Sequence, residues 1–510
     1  MQDLNKELFV FADAKKEEGE EKALEKSKGF FADALERFAR NKSSVVAAAI
    51  LVFLVLFVCL APLFTPYQMT DKESLYQNKR PINPLFQSLG VWDGGRENEF
   101  TEDNFRYFSA IERETGISPI IKLKKKYEKT LSVGSTVKVT TMYRLRINSY
   151  KEVGVVNGFN LSKEEFEAIV NYQNETGRQV LYPLVQTEKL HGFAGGEGGG
   201  NYWYEIDAKG KPILDENGEW KPLYISVATD SPLRGMYAPY QGGKRIPADD
   251  GTFVYGQANQ SGYSTRICFY EYYQYKNGFT PRYLFGTNTY GQDVFRSLAE
   301  GAKFSMLLAL GVAALNLIIG AVYGAVEGYF GGKTDLIMER IADVLSGVPF
   351  TVVVTLFSYH LAAKVGVVVS FLFAFLTTGW ISTAALTRKQ FYRFKNREYI
   401  MAARTLGAGH GRIIWRHIFP NSVGAIITSA AMLIPSVIGM ETTLTYLGIV
   451  NLSGAGTTSL GTLIELGKDC MELAPHVILF PALFLALLLV CFNLLGNGLR
   501  DAFNPSLRGA

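Results

Sequence analysis

Six apolar stretches are spread so unevenly along this chain that no single soluble core can account for them. One covers residues 45–61, and five crowd into about the last 210 residues, at 304–326, 344–363, 365–386, 418–447 and 473–495. The first carries no charge over about 17 residues, the short end of what crosses a bilayer. Twelve of its residues are Val, Ile, Leu or Phe. At roughly −0.3 to −0.6 kcal/mol each near the bilayer centre, insertion is favoured by about 4 to 7 kcal/mol. A cleaved signal peptide is the competing assignment. Some 40 mostly polar residues come first and no A-x-A site marks a cleavage, so an uncleaved span is expected. Lys364 alone separates the third stretch from the fourth, which predicts a very short turn. Pro420 and Pro435 predict that the fifth stretch starts late or kinks.

Composition hides this contrast. Over 510 residues, 52 Lys and Arg nearly balance 48 Asp and Glu, for a net charge of +4. With no basic run interleaved with aromatics, a nucleic-acid partner is excluded. The four cysteines are Cys59, Cys268, Cys470 and Cys491. Only Cys268 lies in the long polar segment 65–284, so that segment holds no internal disulfide, and no CxxC pair exists. The same segment is rich in Tyr, Gly, Asn and charge. Tyr143, Leu145 and Ile147 alternate with arginines, and Leu223, Ile225 and Val227 alternate in the same way, so both runs read as strands. Residues 161–172 read as a helix with Ser162 as N-cap and Glu165 three residues on. Residues 191–200 read as a glycine loop. The expectation is a mixed α+β domain at 65–284, inserted between the first span (44–64) and the second. Its many tyrosines suit a recognition surface.

Basic residues fix the orientation. Between the fourth and fifth stretches stand Arg388, Lys389, Arg393, Lys395, Arg397, Arg404, Arg412 and Arg416. Arg37, Arg40 and Lys42 precede the first span, and Arg500 and Arg508 follow the last. Loops of opposite parity hold only Lys364, and Lys468 among Glu465, Asp469 and Glu472. Both termini and the 388–420 loop are therefore expected in the cytoplasm, and the polar segment outside. Residues 1–43 form a cytoplasmic segment with an amphipathic helix, and 285–510 hold the remaining five spans.

The 388–420 loop carries the functional signal. It reads as a short helix, a glycine bend at 407–411 and a second short helix. Glu398 and Ala402 share one helical face, and Ala403 and Gly407 share another. Small side chains there would let a second surface approach the backbone. On these grounds alone the loop is either a docking element or an amphipathic helix held on the inner leaflet by its arginines.

The run Glu398-x-x-x-Ala402-Ala403-Arg404-x-Leu406-Gly407-Ala408, closed by Arg416-His417-Ile418-Phe419-Pro420-Asn421, resembles the EAA loop of ABC importer permeases of the dipeptide/oligopeptide family. Other stretches are similar to that family's OppC/DppC-type subunit. They are 37–42 and 61–64 around the first span, 285–295 (FGTNTYGQDVF), 328–332 (GYFGG) and 492–496 (FNLLG). Asn288 and Gln292 stand where the family pattern has Asp and Arg. The resemblance implies a polytopic α-helical membrane protein with six transmembrane helices, in the plasma membrane. It implies that Glu398, Ala402, Ala403, Gly407 and Pro420 couple the chain to an ATPase. The partners it implies are a second, OppB/DppB-type permease subunit, two ABC ATPase subunits that bind ATP and Mg, and an extracytoplasmic peptide-binding protein. No cofactor, metal or catalytic residue is then expected in this chain. The long 65–284 segment is a departure, and its role is not inherited from the family.

Residues 328–334 look like a phosphate loop, but Glu327 stands where the first glycine belongs. His191, His360 and His476 are isolated, which disfavours a metal site. Glu441, near the outer end of the fifth stretch, is either a structural hydrogen-bonding group or a gate in the translocation path. An ion-coupled secondary transporter is the alternative function, but it needs ionisable residues deep in several spans. A membrane-tethered exported enzyme would leave five spans unexplained.

Overall fold

The computed structural model describes residues 30–87, 90–133, 136–186, 253–452 and 457–503, with isolated positions between 204 and 245. The chain parts into two compact units. One takes Met1–Phe64, Leu298–Glu465 and Pro481–Ala510; the other takes Thr65–Ser297 and Leu466–Phe480.

In the first unit, α1 (Phe30–Arg40) leads into α2 (Lys42–Phe64). Ser44, Ala47, Leu51, Leu54, Val58 and Ala61 form the buried stripe of α2 at helical spacing. Val52, Phe53, Leu56 and Leu60 remain exposed, a pattern that suits lipid rather than water.

The second unit is mixed. Strands β1 (Gly95–Thr101), β2 (Ile120–Val133) and β3 (Thr136–Asn148) form an antiparallel sheet in the order β1-β3-β2. Tyr143, Leu145 and Ile147 point from β3 into the core, as their alternation predicts. The helix α3 (Glu102–Thr115) covers this sheet, with Phe108 and Ile111 packed on Phe100 and Leu145. A second sheet joins β4 (Val155–Leu161) and β5 (Leu181–Tyr182) to opposite sides of the last strand, Gly262–Cys268. Between them lie α4 (Lys163–Thr176), the paired two-residue strands β6 (Tyr240–Gln241) and β7 (Lys244–Arg245), and β8 (Gly256–Asn259), which pairs with β9 (Gly262–Cys268). Ser162 caps α4 by accepting from the Glu165 N–H at 3.1 Å, and the helix continues past the expected end to Thr176. Leu223, Tyr224 and Ile225 show a single bridge, Val185 to Tyr224, rather than a strand. Val227 and the loop 191–200 lie outside the described residues.

The tyrosines correct the surface expectation. Tyr67, Tyr76, Tyr150, Tyr182, Tyr255, Tyr272, Tyr273 and Tyr283 are buried. Tyr67 stacks on Tyr283 with ring centroids 4.1 Å apart. Two of their hydroxyls find partners inside: Tyr150 donates to the Arg80 carbonyl at 2.8 Å, and Tyr272 to Glu165 at 2.7 Å. The rings supply the buried area of this unit, so their number signals a core and not a binding face.

The α5 helix (Phe269–Asn277) is followed by the 285–295 motif, a capping turn. Asn288 Oδ1 accepts from the N–H groups of Tyr290 and Gln292 at 2.9 and 3.0 Å. Asp293 accepts from the Phe295 N–H at 3.1 Å and from Thr65 Oγ1 at 2.8 Å. This starts α6 (Val294–Phe330), the 37-residue second span.

The remaining helices are α7 (Gly332–Ser346), α8 (Phe350–His360), α9 (Val367–Thr378), α10 (Ile381–Phe394), α11 (Glu398–Thr405), α12 (Phe419–Tyr446), α13 (Leu460–Lys468) and α14 (His476–Phe503). Among the described residues, five helical segments are long and apolar enough to cross a membrane, and a sixth if α7 and α8, bent by 73°, count as one. The fifth differs from expectation. It runs from His410 to Tyr446 as one span, with the turns at Ile413–Ile418 wound wider than an α-helix. Pro420 follows directly on these wide turns inside the continuous helix, and Pro435 is buried further along it.

Three glycines of α6 make a close contact with α10. A Cβ at Gly320 would stand 2.6 Å from the Trp380 carbonyl oxygen. At Gly324 it would stand 2.1 Å from that of Ala384, and at Gly328 2.7 Å from Phe391 Cβ. Four-residue spacing puts all three on one face of α6, so its backbone lies directly on α10. Gly311 of the same helix faces open space. Gly324→Ala is expected to destabilise the chain by about 1–3 kcal/mol, and Gly311→Ala to be neutral or slightly stabilising. Melting in detergent checks the pair.

Candidate functional site

The loop after α10 is keyed to the bundle by its apolar side. Ile400 of α11 and Ile413, Ile414 and Ile418 of the following turns are buried against Ala325, Tyr329 and Phe391. The Tyr329 hydroxyl and His410 Nδ1 are 2.7 Å apart. The Arg404 guanidinium lies 5.5 Å from the centre of the Tyr329 ring. These contacts tie the loop to the last turn of α6. At the bend, Gly407 takes φ of +82°, a left-handed conformation that side chains resist.

The other side of the loop is bare. Leu406 is 88% exposed, Met401 52% and Tyr399 43%. Glu398, Ala402, Gly407 and Pro420 are exposed and Ala403 half-buried. A Cβ built at Gly407, Gly409 or Gly411 meets nothing within 4 Å. All five residues singled out from sequence thus lie along one loop. Leu406 and Met401 thus form an exposed apolar crest on the outer side of the loop. The exposed apolar crest was missed in the sequence reading, which looked for small residues alone.

A second set of contacts, also unforeseen, fixes the root of the loop. Arg388 donates to both Asp335 oxygens at 2.6 and 2.9 Å and to both Glu339 oxygens at 2.8 and 3.0 Å. Glu327 lies 3.4 Å from its Nε. Tyr392 adds a hydrogen bond to Asp335 at 2.6 Å. Lys395 donates to the Gly328 carbonyl at 3.0 Å with its ammonium 3.9 Å from the Tyr392 ring centre. Burial holds the Lys395 pKa below the ordinary lysine value, with Asp335 opposing the shift. One guanidinium therefore joins the end of α6, the amphipathic α7 and the last turns of α10, the helix that leads into the loop. The phosphate-loop look-alike is spent on this joint: Gly328 packs on α10, while Gly331 and Gly332 turn the chain into α7 with φ of +66° and +58°.

Glu441 is buried within the first unit. Its Oε2 accepts from Ser305 Oγ at 3.0 Å, and Ser305 Oγ accepts from the Leu460 N–H at 3.1 Å. The carboxylate thus connects α12 to α6 and, through Ser305, to the start of α13. Among the described residues, no group of three or more His, Cys, Asp or Glu side chains could hold a metal ion.

A bundle of helices long and apolar enough to cross a bilayer defines a helical membrane protein. The profile of the "Binding-protein-dependent transport system inner membrane component" family matches residues 301–509, and that of the "N-terminal TM domain of oligopeptide transport permease C" matches 29–81. The chain is 38% identical over 224 residues to the oligopeptide transport system permease protein OppC of Bacillus subtilis, covering 44% of this chain and 72% of that one. It is 38% identical over 226 residues to the dipeptide transport system permease protein DppC of the same organism, covering 44% and 69%. The chain belongs to this OppC/DppC family of transport permeases. A solved inward-facing MetNI methionine ABC transporter chain aligns over 40% of this chain and 96% of its own length, at 16% identity. Its TM-score of 0.33 is too low to carry an argument. Residues 82–300 lie between the two profile matches.

Replacing Arg388 with Ala leaves three carboxylates facing one another. It is expected to cost about 1–3 kcal/mol and to expose residues 396–409 to protease. Lys, which keeps the charge without the fork, is expected to restore only part of the protection.

Proposed function

We propose that this chain is one of two permease subunits of an ATP-driven importer of peptides, and that the 398–420 loop is the surface on which a cytoplasmic ATPase acts. The observation that carries this reading is the exposed Leu406 on a loop whose opposite side is locked to α6 and α10. A push on the crest has a rigid route into two spans. In this scheme a binding protein delivers peptide at the outer face, and the two permeases form the path between their spans. ATP and Mg are bound by separate ATPase chains. Closure of those chains tilts the helices between inward and outward access without chemistry on the cargo. The names of the similar permeases support peptides as the cargo class.

The positive-inside pattern supports placing both termini and the loop in the cytoplasm, with the inner membrane as the site and the 65–284 segment outside. There that segment would dock the binding protein or wall the entrance. Glu398, Ala402, Ala403, Gly407 and Pro420 are the contact positions, with Leu406 and Met401 as the apolar anchors beside them. Glu441 is the candidate gate, because opening the bundle between α6 and α12 has to break its bond to Ser305.

Two outcomes follow. Leu406→Asp is expected to cut peptide uptake at least about tenfold, equivalent to about 1.4 kcal/mol of coupling, while the chain still inserts and pairs with its second permease. Uptake at the native rate would remove the loop from the mechanism. Glu441→Gln is expected to slow uptake with assembly intact, and an unchanged rate would leave the carboxylate a structural group only.

A further inference from the structure

Three helix faces converge where α10 ends, α12 begins and α14 finishes, and they enclose a pocket of about 490 Å³. Gly496 brings α14 onto α12 here; a Cβ at that position would stand 2.1 Å from Met432 Sδ. The lining is graded along the helices. Leu386 and Met432 lie farthest from the helix ends, with Thr428 and Ser429 one turn before Met432 on α12. Gln390 and Asn497 come next. Arg393 and Arg500 stand at the end nearest the helix termini. Spacing produces the gradient, since Leu386, Gln390 and Arg393 follow one another at i, i+4 and i+7 on α10.

The two arginines differ from their neighbour Arg388, whose guanidinium is saturated by carboxylates. Among the described residues no carboxylate lies within ion-pair distance of Arg393 or Arg500; Arg393 only lies 5.6 Å from the ring centre of Phe394. Two unpaired guanidinium groups at the mouth of an apolar slot fit a ligand that is anionic at one end and apolar at the other. Phosphate is the anion that a planar guanidinium fork matches best. Basic pockets between membrane helices at the positive end of a bundle are suited to anionic headgroups.

We propose that this pocket binds an anionic phospholipid, its phosphate on Arg393 and Arg500 and the first methylenes of one acyl chain along Leu386 and Met432. Gln390 and Asn497 meet the ester oxygens between the two. The site does not depend on what the permease carries. A lipid seated there joins α10, α12 and α14 at the root of the exposed loop.

The test uses the full chain purified in mild detergent, with native mass spectrometry and melting curves on titration with phosphatidylglycerol or phosphatidylcholine. The expected result is retention of phosphatidylglycerol alone, with a rise in melting temperature. The double substitution R393Q/R500Q is expected to weaken that binding about thirty-fold, each arginine contributing a similar factor. R393K/R500K, which keeps the charges, is expected to fall between the two and provides the reading if the Gln variant fails to fold. Inorganic phosphate at tens of millimolar is expected to leave the lipid in place. Equal retention of both lipids, or phosphatidylglycerol binding unchanged in R393Q/R500Q and R393K/R500K, overturns the proposal. Displacement by inorganic phosphate assigns the site to a free anion, and displacement by a short peptide assigns it to cargo; either result also overturns it.

Discussion

The backbone-to-backbone approach of α6 and α10 at Gly320, Gly324 and Gly328 is the constraint on which the rest of the permease unit depends. In a membrane the apolar faces of helices gain little by leaving lipid for one another, so contact has to come from close fit. Three glycines at four-residue spacing provide that fit. They also set the height of α10 against the end of α6. That register places Arg388 among Glu327, Asp335 and Glu339, and it places Phe391 and Tyr329 under the loop.

The loop is therefore not a connector between two spans. Its inner side is continuous with the core through Ile400, Ile413, Ile414 and Ile418, and the Tyr329–His410 contact closes the seam. The outer side offers Leu406 to the surroundings. Rigidity on one side and bareness on the other are the two properties a force-transmitting element needs. They arise here from ordinary helical periodicity interrupted by a left-handed glycine.

Much of this was legible in the sequence, because a bilayer imposes long uncharged runs that survive without tertiary information. The spans, the first short helix of the loop and the Ser162 cap are local patterns, whereas the second short helix expected after the glycine bend is the start of the His410–Tyr446 span. The glycine stripe GAVYGAVEG, residues 320–328, is equally a local pattern, overlapped at its end by the phosphate-loop likeness. What could not be read were the contacts between distant segments: Arg388 with residues about fifty positions earlier, or Ser305 with Glu441. The tyrosines of the second unit misled for a related reason. An amphipathic ring is as useful in a core with a hydroxyl partner as on a binding face, and composition does not separate the two. The fifth span starts before Pro420 rather than after it, and both Pro420 and Pro435 lie within its continuous helix.

The most direct measurement is a cysteine scan of positions 401–407 with cross-linking in intact membranes containing the whole transporter. The account predicts that cysteines at Ala403, Leu406 and Gly407 join to an ATP-hydrolysing subunit, with yields that change when nucleotide binds, and stay shielded from an impermeant reagent outside the cell. Labelling of these positions from the external medium, or no adduct with such a subunit in any nucleotide state, would contradict it.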